Sequence, residues 1–179
     1  MSSIVNPIQI PPEYCQYSAG QCDQSFHGVP PTQAFFFFSS KVELISNTIA
    51  EGIRKLQAAN RNLVIGSWQS LQVDGKLIFC QICKSQRFTG VAVADVTSLN
   101  FNVLFEIGYA LGLGIPVVPI RDTTCSLDRK EFDELGLLDI LGYVDFQNSD
   151  ELALKLPESI RNAKFPLSHS IKRNTRGYA

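Results

Sequence analysis

Charge is scarce in this chain, and what there is cancels. Charged residues make up 18% of 179, where about a quarter is usual. The 16 basic and 17 acidic side chains leave a net charge of −1. So balanced a chain has no field to hold a polyanion, and no direct nucleic-acid binding is expected. Long apolar runs are also missing. The longest, Ala110 to Ile120, is short and interrupted by Gly and Pro, so no membrane span is expected. No basic start followed by an apolar run marks the N-terminus as a secretory signal, and the expected location is the cytoplasm. A G-x-G-x-x-G after the first strand and a G-x-x-x-x-G-K are both absent, which removes the dinucleotide fingerprint and the P-loop. There is no Ser-His-Asp set and no metal-ligand cluster, so no resident cofactor or metal is expected. His27, in an irregular stretch, reads as a surface residue.

The five cysteines, Cys15, Cys22, Cys80, Cys83 and Cys125, are an odd number without secretory context. They read as reduced thiols. Cys15/Cys22 and Cys80/Cys83 together could supply four thiolates to a structural zinc. Against this, the spacing of the first pair is unusual, and Cys80 and Cys83 lie in the helical-looking LIFCQICKSQRF, where small apolar Cys is an ordinary core residue. Core cysteine is the preferred reading.

What the chain does have is length and hydrophobicity. Hydrophobic residues reach 45%, twelve of them Phe, and a chain this long can bury roughly 70% of its unfolded surface without staples. One domain is expected, preceded by an irregular arm. Residues 1–33 hold five of the nine prolines and show no periodicity; residues 34–165 carry the domain; residues 166–179 form a polar basic tail or linker. Within the domain, AFFFFSS from Ala34 is a strand buried on both faces. A helix with Val42, Ile45, Ile49, Ile53 and Leu56 at helical spacing follows and stops at Asn60. Then come the strand NLVIGSW, a helix opening after Gly75, the strand GVAVAD, the helix NVLFEIGYALGLG ending at Gly112 or Gly114, and the strand IPVVPIRD. A helical KEFDELGLLDIL leads to the strand GYVDF, and a last helix, SDELALKLPESIRNA, carries Pro157, which should kink or break it. This alternation predicts an α/β fold with a parallel sheet between two helix layers. Five strands and right-handed crossovers give the flavodoxin-like order 2-1-3-4-5.

In such a sheet the ligand crevice lies beyond the carboxyl ends of the strands, where strand order reverses. That rule selects Ser39 and Ser40 after strand one, Ser67 and Trp68 after strand two, and Asp95, Thr97, Ser98 and Asn100 after strand three. Glu106, one turn inside the following helix, shares a face with Asn102. It is the only charge in NVLFEIGYALGLG, and a lone acid in an apolar helix is either paired or functional. Structural readings stand beside each of these. Glu106 could brace helix amides, Asp95 could close a turn, Asn100 or Asn102 should cap the helix, Trp68 could pack or stack on a ring, and Tyr109 could be core or interface. Cleavage of an N-glycosidic bond fits one carboxylate without metal or triad, because a cationic sugar needs only an anion or a nucleophile on its face.

Read whole, ADVTSLNFNVLFEIGYALGLGIPVVPI resembles the signature segment of bacterial TIR-like (Toll/interleukin receptor-like) domains. The matching features are the Asp-x-Thr strand end, the N-x-N-V turn and the F-E-x-G-Y-A helix. The segment is also similar to nucleoside 2-deoxyribosyltransferases, through E-x-G-Y-A followed by G-x-P-V. Those enzymes, however, have acidic residues and a D-x-G-T turn where this chain has Ser98, Asn100 and Asn102, so the TIR-like group matches better. The resemblance is tight over 91–120 and rests on element order over 34–146. It implies a flavodoxin-like NAD⁺ hydrolase that cuts the nicotinamide–ribose bond, with NAD⁺ as substrate and Glu106 as the catalytic residue. Ser39, Ser40, Trp68, Asp95, Asn100, Asn102 and Tyr109 would bind the substrate. It further implies an effector of a bacterial immune or stress system, active as a homo-oligomer and fused to or associated with a sensor domain. Two alternatives remain open: a deoxyribosyltransferase or nucleotide N-glycosidase, and a non-enzymatic assembly or nucleotide-binding module.

Overall fold

The structure is a computed structural model and describes residues 32–71, 78–125 and 142–163. Five strands, β1 (Thr32–Phe37), β2 (Ile65–Ser67), β3 (Thr89–Asp95), β4 (Val117–Asp122) and β5 (Val144–Phe146), form one sheet in the order β2-β1-β3-β4-β5. Every pairing is parallel. The helices are α1 (Glu43–Ala59), α2 (Ile78–Arg87), α3 (Phe101–Gly112) and α4 (Ser149–Asn162), with a short 3-10 turn over Trp68–Ser70. This is the expected α/β fold and strand order. No helix among the described residues is long and apolar enough to cross a membrane.

The run of four phenylalanines shows why the sheet is buried on both sides. Side chains alternate along a strand, so Phe36 and Phe38 enter one core while Phe35 and Phe37 enter the other. The first core joins β1 and β3 to Ile45, Ile49 and Leu56 of α1 and to Leu152, Leu156 and Ile160 of α4. The second joins them to Ile82 of α2 and to Val103, Ile107 and Ala110 of α3.

Several boundaries differ from the sequence expectation. β2 is three residues long rather than seven, because only Ile65, Gly66 and Ser67 find partners on β1. β1 stops at Phe37, leaving Phe38 to Val42 as the turn into α1. α3 is capped by Asn100, whose side chain accepts from the Asn102 amide, and it ends at Gly112, with Gly114 beyond it at φ +75°. The expected break at Pro157 does not occur: α4 runs through it without interruption. Leu152, Leu156 and Ile160 anchor the helix to the core on both sides of the proline, and Asn148 caps its start by accepting from the amides of Asp150 and Glu151. The helical reading of KEFDELGLLDIL, the arm before Thr32, His27, Cys15, Cys22 and the tail lie outside the described residues.

Candidate functional site

The sheet order reverses between β1 and β3, since the chain moves from β1 outward to β2 and then returns to β3 on the other side. Turns leaving adjacent strands in opposite directions must part, and a crevice opens between them. A cleft of about 460 Å³ lies there, within the range of small-molecule sites. Phe38, Ser39, Ser40 and Lys41 line it from the β1–α1 turn, Trp68 from the end of β2 and Ile82 from α2. Asn100, Asn102, Val103, Phe105 and Glu106 complete the wall from the start of α3.

Asn100 ties the two sides of the crevice together. Its amide donates to Ser39 Oγ at 3.1 Å, while its carbonyl oxygen accepts from the Asn102 amide at 2.9 Å. Ser39 Oγ also accepts from the Lys41 amide at 3.2 Å. Leu99, just before Asn100, holds a left-handed φ of +42°, an uncommon conformation for leucine. The turn is therefore held in its shape by the bonds around it rather than by local preference. On the β2 side, the Ser70 hydroxyl donates to the Ser67 carbonyl at 2.6 Å and closes the short turn that presents Trp68. The indole packs edge-on against Phe38, with ring centroids 5.8 Å apart. Its Nε1–H is buried and has no acceptor among the described residues.

Glu106 faces this cleft from the second turn of α3 and is 7% exposed. Burial pushes its carboxyl up to about 7 from an ordinary 4.5. No cation or hydrogen-bond donor among the described residues offsets that push. The helix itself is held at this level by Gln86, fully buried on α2, whose amide donates to the Glu106 carbonyl oxygen at 3.2 Å. A carboxyl of this kind changes charge near neutrality, so it can serve as an anion, a nucleophile or a proton carrier.

Of the residues singled out in the sequence, Ser39, Ser40, Trp68, Asn100, Asn102 and Glu106 come together at the cleft. Asp95 and Tyr109 are not among its lining residues. Asp95 is 1% exposed at the end of β3. Its Oδ1 accepts from the Thr97 amide at 3.0 Å, and Thr97 Oγ1 accepts from the Asp122 amide at 2.8 Å, so Asp95 braces the loops after β3 and β4. Burial raises its pKa despite the bonds from Thr97, and the Asp122 charge adds to the rise. Tyr109 lies one turn beyond Glu106, stacked on Phe105 and in contact with Cys83, its hydroxyl 2.7 Å from Sγ. Burial, then the bond to Cys83, pushes its phenol up. Cys80, Cys83 and Cys125 are half-buried thiols that form no disulfide. No group of three or more His, Cys, Asp or Glu able to hold a metal occurs among the described residues.

The sequence reading missed Phe38, Lys41, Ile82, Val103 and Phe105. Lys41 carried a usable signal, being the next residue after the two serines at the end of β1. Ile82 carried none, since its place at the cleft depends on how α2 packs.

No protein-family model matches the chain, and no curated protein matches it. Solved structures do match. The TIR domain of the Toll-related receptor TRR-2 from Hydra magnipapillata superposes with a TM-score of 0.51 at 15% identity, over 72% of this chain and 98% of that one. A conserved protein from Enterococcus faecalis gives 0.51 at 18% identity, over 72% and 99%. The CMP N-glycosidase BcmB of Clostridium botulinum superposes more loosely, with a TM-score of 0.47 at 14% identity over 71% and 99%. At these identities the likeness is one of fold: the chain shares the architecture of a TIR domain.

Proposed function

We propose that the chain is an NAD⁺ hydrolase that cleaves the nicotinamide–ribose N-glycosidic bond. The observation that carries this reading is Glu106, a buried carboxyl without a partner among the described residues, placed in the cleft at the crossover of the sheet. Nicotinamide is already cationic in NAD⁺, so it departs as a neutral base with the bonding electrons and needs no general acid. The sugar left behind is cationic, and an ionised Glu106 beside it lowers the barrier by charge or by direct attack. Water then supplies hydroxide to the anomeric carbon and releases one proton, giving ADP-ribose. Trp68 and Phe105 offer aromatic surface for the base, and Asn102 offers an amide to ribose hydroxyls.

Self-association belongs to the same proposal, with a second copy as the partner. Phe101, 87% exposed at the start of α3 and outside the cleft lining, supports it. That helix carries no charge except the inward-facing Glu106.

Chromatography of the purified protein at high concentration with NAD⁺ tests the reading. Nicotinamide release is expected, falling at least about a hundredfold in Glu106→Gln while the circular dichroism stays unchanged. A Gln variant as active as the parent would sink the assignment. Base exchange with a deoxynucleoside and an added free base would instead place the chain with the transferases. Binding without turnover of either substrate would make it a nucleotide-binding or assembly module.

A further inference from the structure

The lining of the cleft is chemically mixed. Trp68, Ile82 and Phe105 bring apolar surface from three other elements, whereas the β1–α1 turn contributes Ser39, Ser40 and Lys41 after Phe38. Lys41 and Glu106 are the two ionisable side chains among the described lining residues. The Lys41 ammonium makes no hydrogen bond or ion pair with any described residue. The four ion pairs found among the described residues lie elsewhere, joining Glu51 to Arg54, Lys55 to Asp150, Arg121 to Asp145 and Glu151 to Lys155.

The hydroxyl groups sharpen the contrast. A serine oxygen can accept two hydrogen bonds and donate one. Ser39 Oγ already accepts from the Lys41 amide and from Asn100 Nδ2, which uses its lone pairs and leaves its proton to give. Ser40 is exposed and lines the cleft. This part of the site therefore offers a positive charge and hydroxyl donors. A phosphate group, which only accepts and carries negative charge, is its complement.

We propose that the β1–α1 turn is an anion subsite in which Lys41, Ser39 and Ser40 hold a phosphate of the ligand, so that the cleft selects phosphorylated nucleotides over free nucleosides. The inference rests on reading the cleft as a nucleotide site. It goes further by assigning Lys41 as the residue that sets substrate class and by placing the phosphate at the β1–α1 turn.

Trp68 makes the test direct, because it is the only tryptophan in the chain and it lines the cleft. Its fluorescence should be titrated with nicotinamide mononucleotide and, separately, with nicotinamide riboside, using the full chain. The mononucleotide is expected to bind about tenfold or more tightly, and rising salt should erode that advantage. Lys41→Ala should bring the ratio of the two affinities close to one, whereas Lys41→Arg should keep most of it. Equal affinities in the parent protein, a ratio unchanged in Lys41→Ala, or no quenching by either compound would each overturn the subsite. Nicotinamide release measured on the same samples separates this failure from that of the catalytic reading. Preferential binding without release removes the hydrolase and keeps the subsite; equal release from both compounds does the reverse.

Discussion

The residue that decides most is Glu106, and its burial has a thermodynamic consequence beside the catalytic role proposed for it. Its carboxyl sits at about 7 in the folded chain against 4.5 when solvated. Between those two values the folded state holds a proton that the unfolded state has released, so stability falls as pH rises through that window and levels off above about 7. The ionised side chain then costs the fold on the order of 3 kcal/mol at most. Glu106→Gln removes the charge and keeps the shape. Urea denaturation should find the variant more stable than the parent near pH 8, with the gap closing near pH 5. Turnover should run the other way, with kcat/KM for nicotinamide release rising as pH passes through about 7 and the carboxylate forms. A variant less stable than the parent near pH 8 would mean that the carboxylate is stabilised by a partner. Glu106 was legible in the sequence as a lone acid in an apolar helix. Asp95 was equally visible at a strand end, yet its side chain accepts from the Thr97 amide and does not line the cleft. A strand-end position says that a residue is near the crevice, not which way it faces.

At the scale of elements, the apolar periodicity of α1 and α4 is plain in the sequence, but their contact is not. Gly52 sits on the buried face of α1, and a Cβ there would lie 2.7 Å from Leu152 Cδ2 and 3.3 Å from its Cγ. Leu152 is fully buried and has little room to move aside. Gly52→Val should therefore destabilise the fold by about 1–3 kcal/mol, read as a lower urea midpoint with an unchanged slope. A variant as stable as the parent would show that the two helices can separate without loss. Helix propensity alone predicts the opposite sign, since glycine is the poorer helix former; the close approach of α4 reverses it. Similar tertiary control explains Pro157 and β2. A proline inside a helical pattern signals a break, but α4 is held to the core on both sides of it. Seven strand-like residues around β2 yield three paired ones, because pairing requires partners on β1 and only Ala34 to Phe36 supply them.

For the molecule as a whole, one sheet separates two apolar cores, and neither half of the helix layers can persist without it. β1 and β3 feed both cores from alternate faces, and Trp68 packs against both clusters. Loss of either layer would expose the other side of the same strands. Unfolding followed by Trp68 fluorescence and by far-ultraviolet circular dichroism should therefore give coincident midpoints and slopes. Transitions that separate would mean that one helix layer melts while the sheet stays intact.

The sequence by itself determined the architecture. Short all-apolar strands alternating with amphipathic helices admit a parallel sheet covered on both faces, and the handedness of the crossovers leaves few strand orders. It also named the acid, because the energetic cost of a lone charge in an apolar helix can be read from its neighbours. Only the tertiary structure decided which strand-end residues share the cleft, that Lys41 belongs to it and that Asp95 and Tyr109 turn elsewhere. Periodicity assigns a side chain to a face of its own element, but a cleft is made where separate elements meet. The distances between residues far apart in the chain are set by packing across the sheet.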